Sequence, residues 1–123
     1  MENFNEQFRK RTKRFAIDLC KSVDDLKGKE SMWVIRKQVL RCGTSVAANF
    51  RAACRARSGA EYYSKICIVV EEADETIFWL ELIEDMIPNK RELIIPFLKE
   101  ANELLNVFSV TKKKLKEKLY KNK

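Results

Sequence analysis

The stretch Gln38–Ile83, QVLRCGTSVAANFRAACRARSGAEYYSKICIVVEEADETIFWLELI, decides the fold of this chain. Its apolar residues recur every three or four positions, which is the spacing of one face of an α-helix. In its middle, Ser58-Gly59-Ala60-Glu61 has the pattern of a capping box, in which Ser58 and Glu61 each satisfy a backbone N–H at a helix start. The stretch therefore predicts two helices joined by a tight turn.

The two predicted helices differ in the sign of their charge. The first, up to Arg57, carries only basic charged side chains, whereas the second, from Glu61, is almost entirely acidic. Over wider segments, residues 31–60 hold six basic and no acidic side chains, and residues 61–89 hold eight acidic and one basic. Adjacent helices of opposite charge can recognise each other, or copies of themselves, through charge as well as shape.

The rest of the chain continues the helical pattern, and helices are predicted at about residues 4–27, 32–57, 59–87 and 90–120. Three of them share a seven-residue apolar repeat, which favours packing at shallow angles, and tight loops between long helices require antiparallel neighbours. The predicted fold is all-α, an antiparallel up-down-up-down four-helix bundle formed by one domain, residues 1–123. The predicted core positions are Phe4, Phe8, Thr12, Phe15, Leu19, Val23 and Leu26; Ile35, Val39, Cys42, Val46, Asn49 and Ala53; Tyr62, Ile66, Val69, Ala73, Thr76, Leu80 and Ile83; and Ile94, Phe97, Ala101, Leu104, Phe108, Thr111 and Leu115.

Single residues mark the expected helix ends. Gly28 is expected to stop the first helix in a left-handed conformation, and Ser31 to cap the second. Asn89 is expected to cap the fourth helix. Pro96 leaves two alternatives: the fourth helix kinks there, or residues 90–95 form a separate turn and Pro96 begins the main helix.

Asn49 is the polar member of the apolar stripe on the second helix. A buried amide must find hydrogen-bond partners or lose a few kcal/mol, so we expect it to bond across the bundle. In that role it would fix the register of the helices, as a lone core asparagine does in coiled coils. A contact with a ligand is the alternative.

Composition narrows the class of protein. The 123 residues carry a net charge of +7, with 46% hydrophobic and 35% charged residues, three Gly and two Pro, which is the profile of a helix-rich globular protein. No apolar run approaches the roughly 18 residues needed to cross a bilayer, and the first residues lack the apolar core of a signal peptide. A cytoplasmic protein with no membrane partner is expected.

Catalytic and metal chemistry find little support. The chain has no histidine, so the usual zinc sites and the Glu-x-x-His pairs of di-metal bundles are excluded, and the acidic run Glu71–Glu75 is interpreted as a surface or interface charge cluster. The four cysteines form no C-x-x-C pair and have no histidine base beside them, so reduced, inert thiols are favoured over a disulfide framework or a nucleophile. The three glycines are isolated and make no phosphate loop. No enzymatic activity, metal or cofactor is expected.

Basic residues support a nucleic-acid hypothesis. Seven lysines lie between Lys112 and Lys123, opposed only by Glu117, and such a basic pole can hold polyanions at low salt. A solvated, frayed tail is an equally favoured alternative. The predicted phosphate contacts are Arg51, Arg55, Arg57, Lys112, Lys113, Lys114, Lys116 and Lys118.

The arginines of the second helix can instead pair with carboxylates of the same or another subunit, and this pairing is favoured over phosphate binding. Phe78 and Trp79 lie one to two residues off the core stripe, where large apolar groups raise the odds of oligomerisation. The predicted interface residues are Arg41, Glu72, Glu75, Phe78 and Trp79.

Gln38–Ile83 also resembles a four-helix-bundle family labelled 23S ribosomal RNA intervening-sequence proteins. The family pattern runs roughly Q-x-x-R-x-x-x-S-x-x-A-N-x-x-E-A, then S-x-x-[DE]-[FY], then K-E-x-x-E-T-x-x-W-L. Two positions depart from it, because Ala52 stands in place of the usual Glu and Glu71 in place of the usual Lys. The matching residues are Gln38, Arg41, Ser45, Ala48, Asn49 and Ala53; Ser58, Glu61 and Tyr62; and Glu72, Glu75, Thr76, Trp79 and Leu80.

The resemblance implies an antiparallel four-helix bundle assembled into a ring-shaped homopentamer. It also implies a relation to the basic accessory proteins of diversity-generating retroelements, which are thought to bind nucleic acid and a reverse transcriptase. Two hypotheses follow. The first is a homo-oligomeric bundle that binds RNA or DNA non-specifically through a basic surface, and the second is a protein-interaction scaffold with charge-complementary subunit interfaces.

Overall fold

The computed structural model describes residues 3–121, so the last residues of the predicted basic tail, including Lys123, lie outside the described part of the chain. Within it, none of the helices is long and apolar enough to cross a lipid bilayer. Four α-helices and one 3₁₀ turn make up the described chain: α1 Phe4–Val23, α2 Glu30–Cys54, α3 Gly59–Met86, the 3₁₀ turn Pro88–Lys90 and α4 Arg91–Tyr120.

The helices pack in a ring of neighbours, since α1 and α3 each contact both α2 and α4. The ring of Phe4, at the start of α1, lies 6.1 Å from that of Phe50 near the end of α2 and 6.4 Å from that of Phe108 in the second half of α4. The ring of Tyr63, near the start of α3, lies 6.0 Å from that of Tyr120 at the end of α4. Because the start of one helix lies beside the later part of its neighbour, adjacent helices are antiparallel. The predicted four-helix bundle is confirmed.

The predicted stripes supply most of the core. All predicted positions from Phe8 to Leu26 are buried, as are those from Ile66 to Ile83 on α3. Two of these buried residues are polar, Thr12 and Thr76, and each hydroxyl donates to the carbonyl one turn earlier over 2.7 Å. The hydroxyl groups therefore enter the core without losing their hydrogen bonds.

One predicted core position on α2 is wrong. Asn49 is only partly buried, and its amide donates to the carbonyl of Ser45 in the same helix over 3.0 Å instead of bonding across the bundle. The next residue, Phe50, is fully buried, with its ring 5.0 Å from that of Phe108. A helix with 3.6 residues per turn drifts away from a strict seven-residue repeat, so the buried face moves forward by one position.

The connection between α1 and α2 also differs from the prediction. α1 ends five residues before Gly28, and no described glycine has a positive φ, so the left-handed stop is wrong. Ser31 lies inside the first turn of α2, whose N-cap makes no side-chain hydrogen bond. The loop is held by Arg36, whose Nη1 donates to the carbonyl of the buried Leu26 over 2.7 Å.

The turn between α2 and α3 has one half of the predicted capping box. Ser58 Oγ accepts a hydrogen bond from the backbone N–H of Glu61 over 3.1 Å, as predicted. The Glu61 carboxylate accepts from the N–H of Arg57 over 3.4 Å, not from that of Ser58. α2 ends at Cys54, three residues before its predicted end, so residues 55–58 form the turn.

The start of α4 resolves the alternatives for Pro96. The N-cap of α4 is Lys90, which makes no side-chain hydrogen bond, so the predicted cap by Asn89 is wrong. Pro96 lies inside the helix, and the alternative in which residues 90–95 form a separate turn is also wrong. The proline is tolerated because it is exposed and near the helix start, where the N–H it lacks would have bonded only the carbonyl of Glu92.

Small residues set the distance between α1 and α2. A methyl group placed on Gly43 would lie only 2.2 Å from Cδ2 of Leu19, which is itself fully buried. The two helices therefore approach closely at this point because residue 43 has no side chain. One turn further along α2, Ala47 and Ala48 line an open groove instead.

Candidate nucleic-acid interface

A groove of about 650 Å³ lies between α1 and the second half of α2. Its lining includes four short side chains from α2, which are Thr44, Ala47, Ala48 and Cys54. Because these side chains are short, the long basic side chains on either side of them define the walls. We call this concavity the basic groove.

Both helices contribute cations to the basic groove, Arg9, Lys10 and Lys13 from α1, and Arg51 and the C-cap residue Arg55 from α2. Positions 9 and 13, like 51 and 55, are one helical turn apart and share a helix face. No acidic side chain is among its described lining residues. Like charges gathered along a concave surface raise the local potential and attract anions.

Most cations of the basic groove are available to a ligand. Arg11 lies on another face of α1, outside the groove, and is already paired. It donates to the two carboxylate oxygens of Glu100 over 2.7 and 2.6 Å, and these hydrogen bonds raise its pKa. Within residues 3–121, four cations of the basic groove have no ion-pair partner: Arg9, Lys13, Arg51 and Arg55.

The structure divides the predicted phosphate contacts between separate places. Arg51 and Arg55 lie in the basic groove, whereas Arg57 lies in the α2–α3 turn with its side chain 89% exposed and 3.3 Å from Glu61. The predicted lysines between Lys112 and Lys118 lie on the last turns of α4, whose neighbours are α1 and α3 and which meets α2 in the core, where the rings of Phe50 and Phe108 lie 5.0 Å apart. Consecutive helix residues point about 100° apart, so these lysines do not form one face.

The α1 side of the basic groove was missed in the sequence. Its signal is the run Arg9–Arg14, RKRTKR, which has five basic residues among six. Residues 1–30 as a whole hold eight basic and six acidic side chains, and this mixed charge hides the run. Helical spacing distinguishes the residues of this run, because residues 9 and 13 share one helix face while residue 11 lies on another.

Cys54 supplies a thiol at the basic groove. Burial raises the pKa of this thiol, and the positive charge of Arg9 acts in the opposite direction with less effect. A raised pKa keeps the thiol protonated at neutral pH, and a protonated thiol is a poor nucleophile. The groove therefore offers charge for binding, and its thiol is not activated as a nucleophile.

Three of the predicted interface residues, Arg41, Glu72 and Glu75, form an ion-pair cluster between α2 and α3 of one chain. Arg41 Nη2 lies 2.9 Å from Glu75 Oε1, and Arg41 Nη1 lies 3.5 Å from Glu72 Oε2. Of the two pairings considered for this arginine, the one within a subunit is present.

The same cluster contains a possible set of metal ligands. Ligand atoms of Cys42, Glu72 and Glu75 all lie within 4.8 Å of one another. However, Nη2 of Arg41 is 3.1 Å from Cys42 Sγ, so the guanidinium contacts all three groups and supplies the positive charge itself. Burial, followed by the charge of Glu75, raises the pKa of the Cys42 thiol to about 12, so it is not a thiolate at neutral pH.

The other two predicted interface residues, Phe78 and Trp79, form an aromatic pair on α3. Their ring centroids are 5.0 Å apart, and Phe78 is 51% exposed while Trp79 is partly buried against the core. An exposed aromatic ring of this size is a common element of protein contact surfaces.

The fold and the groove together define an antiparallel four-helix-bundle protein with a cationic seam between its first two helices. Residues 5–110 match the family of 23S rRNA-intervening sequence proteins, and the chain belongs to this family. The resemblance expected from Gln38–Ile83 is thus confirmed and extends over most of the chain.

A solved structure is similar to this one. It is the crystal structure of a protein of unknown function from the S23 ribosomal protein family of Bacteroides thetaiotaomicron, with a TM-score of 0.79 and 29% sequence identity. The match covers 89% of this chain and 97% of that chain. Among proteins with curated descriptions, none matches significantly.

Proposed function

We propose that this protein is a non-enzymatic, homo-oligomeric helical bundle of the cytoplasm that binds RNA or DNA non-specifically through the basic groove. The observation that carries the proposal is the groove lining, which has five cationic side chains from two helices and no carboxylate. Cations that contact phosphates release condensed counterions, and this favours binding without regard to sequence. Arg51 and Arg55 are the main contacts from α2.

The predicted contacts outside the basic groove have a smaller role in this proposal. Arg57 is already paired with Glu61, so part of its charge is neutralised. The α4 lysines, Lys112, Lys113, Lys114, Lys116 and Lys118, are mostly exposed and spread around the helix. They add to the positive potential around the protein but do not line a concave site with the groove residues.

Fluorescence anisotropy with labelled single- and double-stranded DNA and RNA tests the proposal. We expect binding at about 50 mM salt and a steep loss of affinity towards about 200 mM salt. The double variant R51Q/R55Q should bind weakly. The matched control K113Q/K116Q removes the same charge from α4 and should bind almost as tightly as the natural protein.

Two results would contradict the proposal. If no nucleic acid binds at about 50 mM salt, where phosphate contacts are strongest, nucleic-acid binding fails as a function. If both double variants lose affinity equally, binding depends on total charge, and the basic groove is not the site.

A second candidate function is a protein-interaction scaffold, in which the basic α2 of one subunit meets the acidic α3 of the next. It is supported by four exposed carboxylates on α3 that have no ion-pair partner within residues 3–121. Contact between two different faces of identical subunits is heterologous, and such contacts close into rings when the rotation allows. The homopentamer implied by the family resemblance would have this form. The four carboxylates are Glu71, Asp74, Glu81 and Asp85.

The mass of the particle in solution separates the two candidates. Under the scaffold hypothesis, the variant R51E/R55E should dissociate, because like charges then face each other across the interface. Light scattering would detect the change in mass. An unchanged mass, together with loss of nucleic-acid binding, would contradict the scaffold hypothesis and support Arg51 and Arg55 as phosphate contacts. Co-purification with a reverse transcriptase would test the partner implied by the family resemblance.

A further inference from the structure

The seam between α1 and α2 continues past the basic groove to a tryptophan. The α2 positions 33, 37, 40, 44, 48, 51 and 55 are spaced three or four apart, so they follow one face of the helix. Thr44 lines the basic groove, and Leu40, one turn earlier, lines a smaller concavity of about 160 Å³ together with Trp33 and Lys37. The two concavities are therefore neighbours along α2.

Trp33 is not part of the core. It is 50% exposed, although the residues at positions 32 and 35 are buried, and it is absent from the cluster of core residues and their apolar neighbours. The Nζ atom of Lys37 lies 3.9 Å from the centroid of its ring. A cation over an indole at an exposed site stabilises only weakly, so this contact alone does not account for so large an exposed ring.

The distance between Trp33 and the far arginine suits a chain of several nucleotides. Arg55, the C-cap residue of α2, lies 22 residues further along the chain, which is about 33 Å at a rise of about 1.5 Å per residue. Proteins that bind single strands without sequence preference combine a basic groove with aromatic side chains on which bases stack, over roughly 4–16 nucleotides. The α1–α2 seam has both elements on one line.

Resting on the function proposed above, we propose that the α1–α2 seam binds single-stranded nucleic acid, with phosphates in the basic groove and a base stacked on Trp33. A base in an intact duplex is paired and stacked on its neighbours, so it cannot stack on a side chain without being extruded. A base that stacks on the Trp33 face now covered by Lys37 displaces the ammonium, which can then pair with the phosphate of that nucleotide. Asp24, which lines the same concavity, opposes the phosphate at this end.

Fluorescence of Trp33 tests the contact directly. In a Trp79→Phe background, Trp33 is the remaining tryptophan. A single-stranded oligonucleotide of about 12 residues, within the size range of such sites, should quench its emission. An abasic phosphodiester of the same length should bind in the same salt range without quenching. A blunt duplex should also bind without quenching.

Binding affinity provides a second measurement in proteins that keep Trp79. This measurement remains possible if the Trp79→Phe variant does not fold. Trp33→Ala should weaken binding of the single strand by roughly 5- to 150-fold, the range for one stacked base, and leave binding of the abasic chain and the duplex unchanged. Trp33→Phe should keep most of the affinity. Asp24→Asn should strengthen binding of all three ligands.

The outcomes distinguish this inference from the function on which it rests. If single strand, duplex and abasic chain bind equally and Trp33→Ala changes none of them, the stacking site is overturned while phosphate binding stands. If none of the three binds at about 50 mM salt, both proposals fail. If none binds and R51E/R55E dissociates the oligomer, the seam is filled by a neighbouring subunit, and the single-strand proposal is overturned.

Discussion

Arg41 on α2 donates from Nη2 to Oε1 of Glu75 on α3 over 2.9 Å, and the same nitrogen lies 3.1 Å from the sulfur of Cys42. A cation, a carboxylate and a buried thiol thus meet at one helix–helix contact. Because each group alters the electrostatics of the others, the pKa values of Glu75 and Cys42 both depart from their ordinary ranges. Each departure has a measurable effect on stability.

Glu75→Gln should reduce the loss of stability in acid. Burial acts to raise the pKa of Glu75, but hydrogen bonds from Cys42 and Arg41 and the charge of Arg41 lower it overall, below 4.5. A folded-state pKa below the unfolded one adds stability above the unfolded pKa, which is lost as the pH falls through the folded pKa. Urea unfolding at pH 7 to pH 3 should show a shallower acid slope for Glu75→Gln. The exposed Glu71→Gln is the control, and equal slopes for all three proteins would contradict the prediction.

The Cys42 thiol should resist modification in the folded protein. Burial first, then the charge of Glu75, raises its pKa from 9.0 to about 12, so the folded state retains the proton that the unfolded state loses. The stability linked to this thiol is present below about pH 9 and is lost as the pH rises towards about 12. At pH 8, a disulfide reagent should modify Cys42 only when the protein unfolds. Mass spectrometry locates the adduct, and rapid labelling of Cys42 under native conditions would refute the expected burial.

Gly43→Ala should destabilise the fold. The added methyl group would lie 2.2 Å from Cδ2 of Leu19, and such overpacking costs about 1–3 kcal/mol, against which alanine regains up to about 1 kcal/mol of helix propensity. We expect a net loss of up to about 2 kcal/mol in the free energy of unfolding. Gly59→Ala is the matched control, because its methyl group would meet Leu119 at an ordinary 3.4 Å.

Coupling between Gly43 and Leu19 gives a sharper test of the same contact. In the Gly43→Ala background, Leu19→Ala should cost less than it does alone, since it removes the atom that the new methyl group crowds, and the methyl group partly fills the space left by the leucine. Additive losses in the double variant would show that the two side chains do not compete for the same space. Chemical denaturation of the four proteins completes the cycle.

Phe50→Ala and Asn49→Ala should differ widely in stability. Phe50 is fully buried, with its ring beside that of Phe108, and removal of a buried phenyl ring costs about 3–5 kcal/mol. Asn49 is partly buried and bonds only within its own helix, so its replacement should cost less than about 1 kcal/mol. Thermal or urea unfolding measures both, and a larger loss at Asn49 would restore the cross-bundle role predicted for its amide.

Arg9→Gln with Lys13→Gln should lower the salt dependence of nucleic-acid binding. If each side chain contacts one phosphate, the slope of log K against log salt should fall by about 0.7–0.9 for each contact. Lys113→Gln with Lys116→Gln, on α4, should leave the slope nearly unchanged. Anisotropy titrations at four salt concentrations are sufficient, and an equal fall in both variants would contradict the placement of the site on α1 and α2.

The fold was predictable because it depends on the spacing of apolar residues within each helix. The stripe from Ile66 to Ile83 is buried as predicted. The failure at Asn49 came from the helical period, because over several turns 3.6 residues per turn moves the core face from position 49 to position 50. A buried phenyl ring and a partly exposed amide are adjacent in sequence, and only the packing of α1 and α4 against α2 decides between them.

The helix ends and the basic groove were less predictable because they depend on contacts between residues far apart in sequence. Gly28 was expected to end α1, but Arg36 holds the loop through the carbonyl of Leu26. In the run RKRTKR, Arg11 pairs with Glu100, which is 89 residues away, while Arg9 and Lys13 line the basic groove. Charge counts alone cannot distinguish these roles.

We expect Pro96 to divide α4 into two parts that open at different rates. Its missing N–H leaves the carbonyl of Glu92 without a helical hydrogen bond, so the first turn of α4 is held mainly by the buried Ile94 and by the contact of Arg91 with Glu84 over 3.3 Å. In amide hydrogen exchange, the amides of residues 94 and 95, the first with helical acceptors, should therefore lose protection before those of residues 97–108. The link between α3 and α4 can then open and close while the aromatic cluster at the other end of the bundle stays intact.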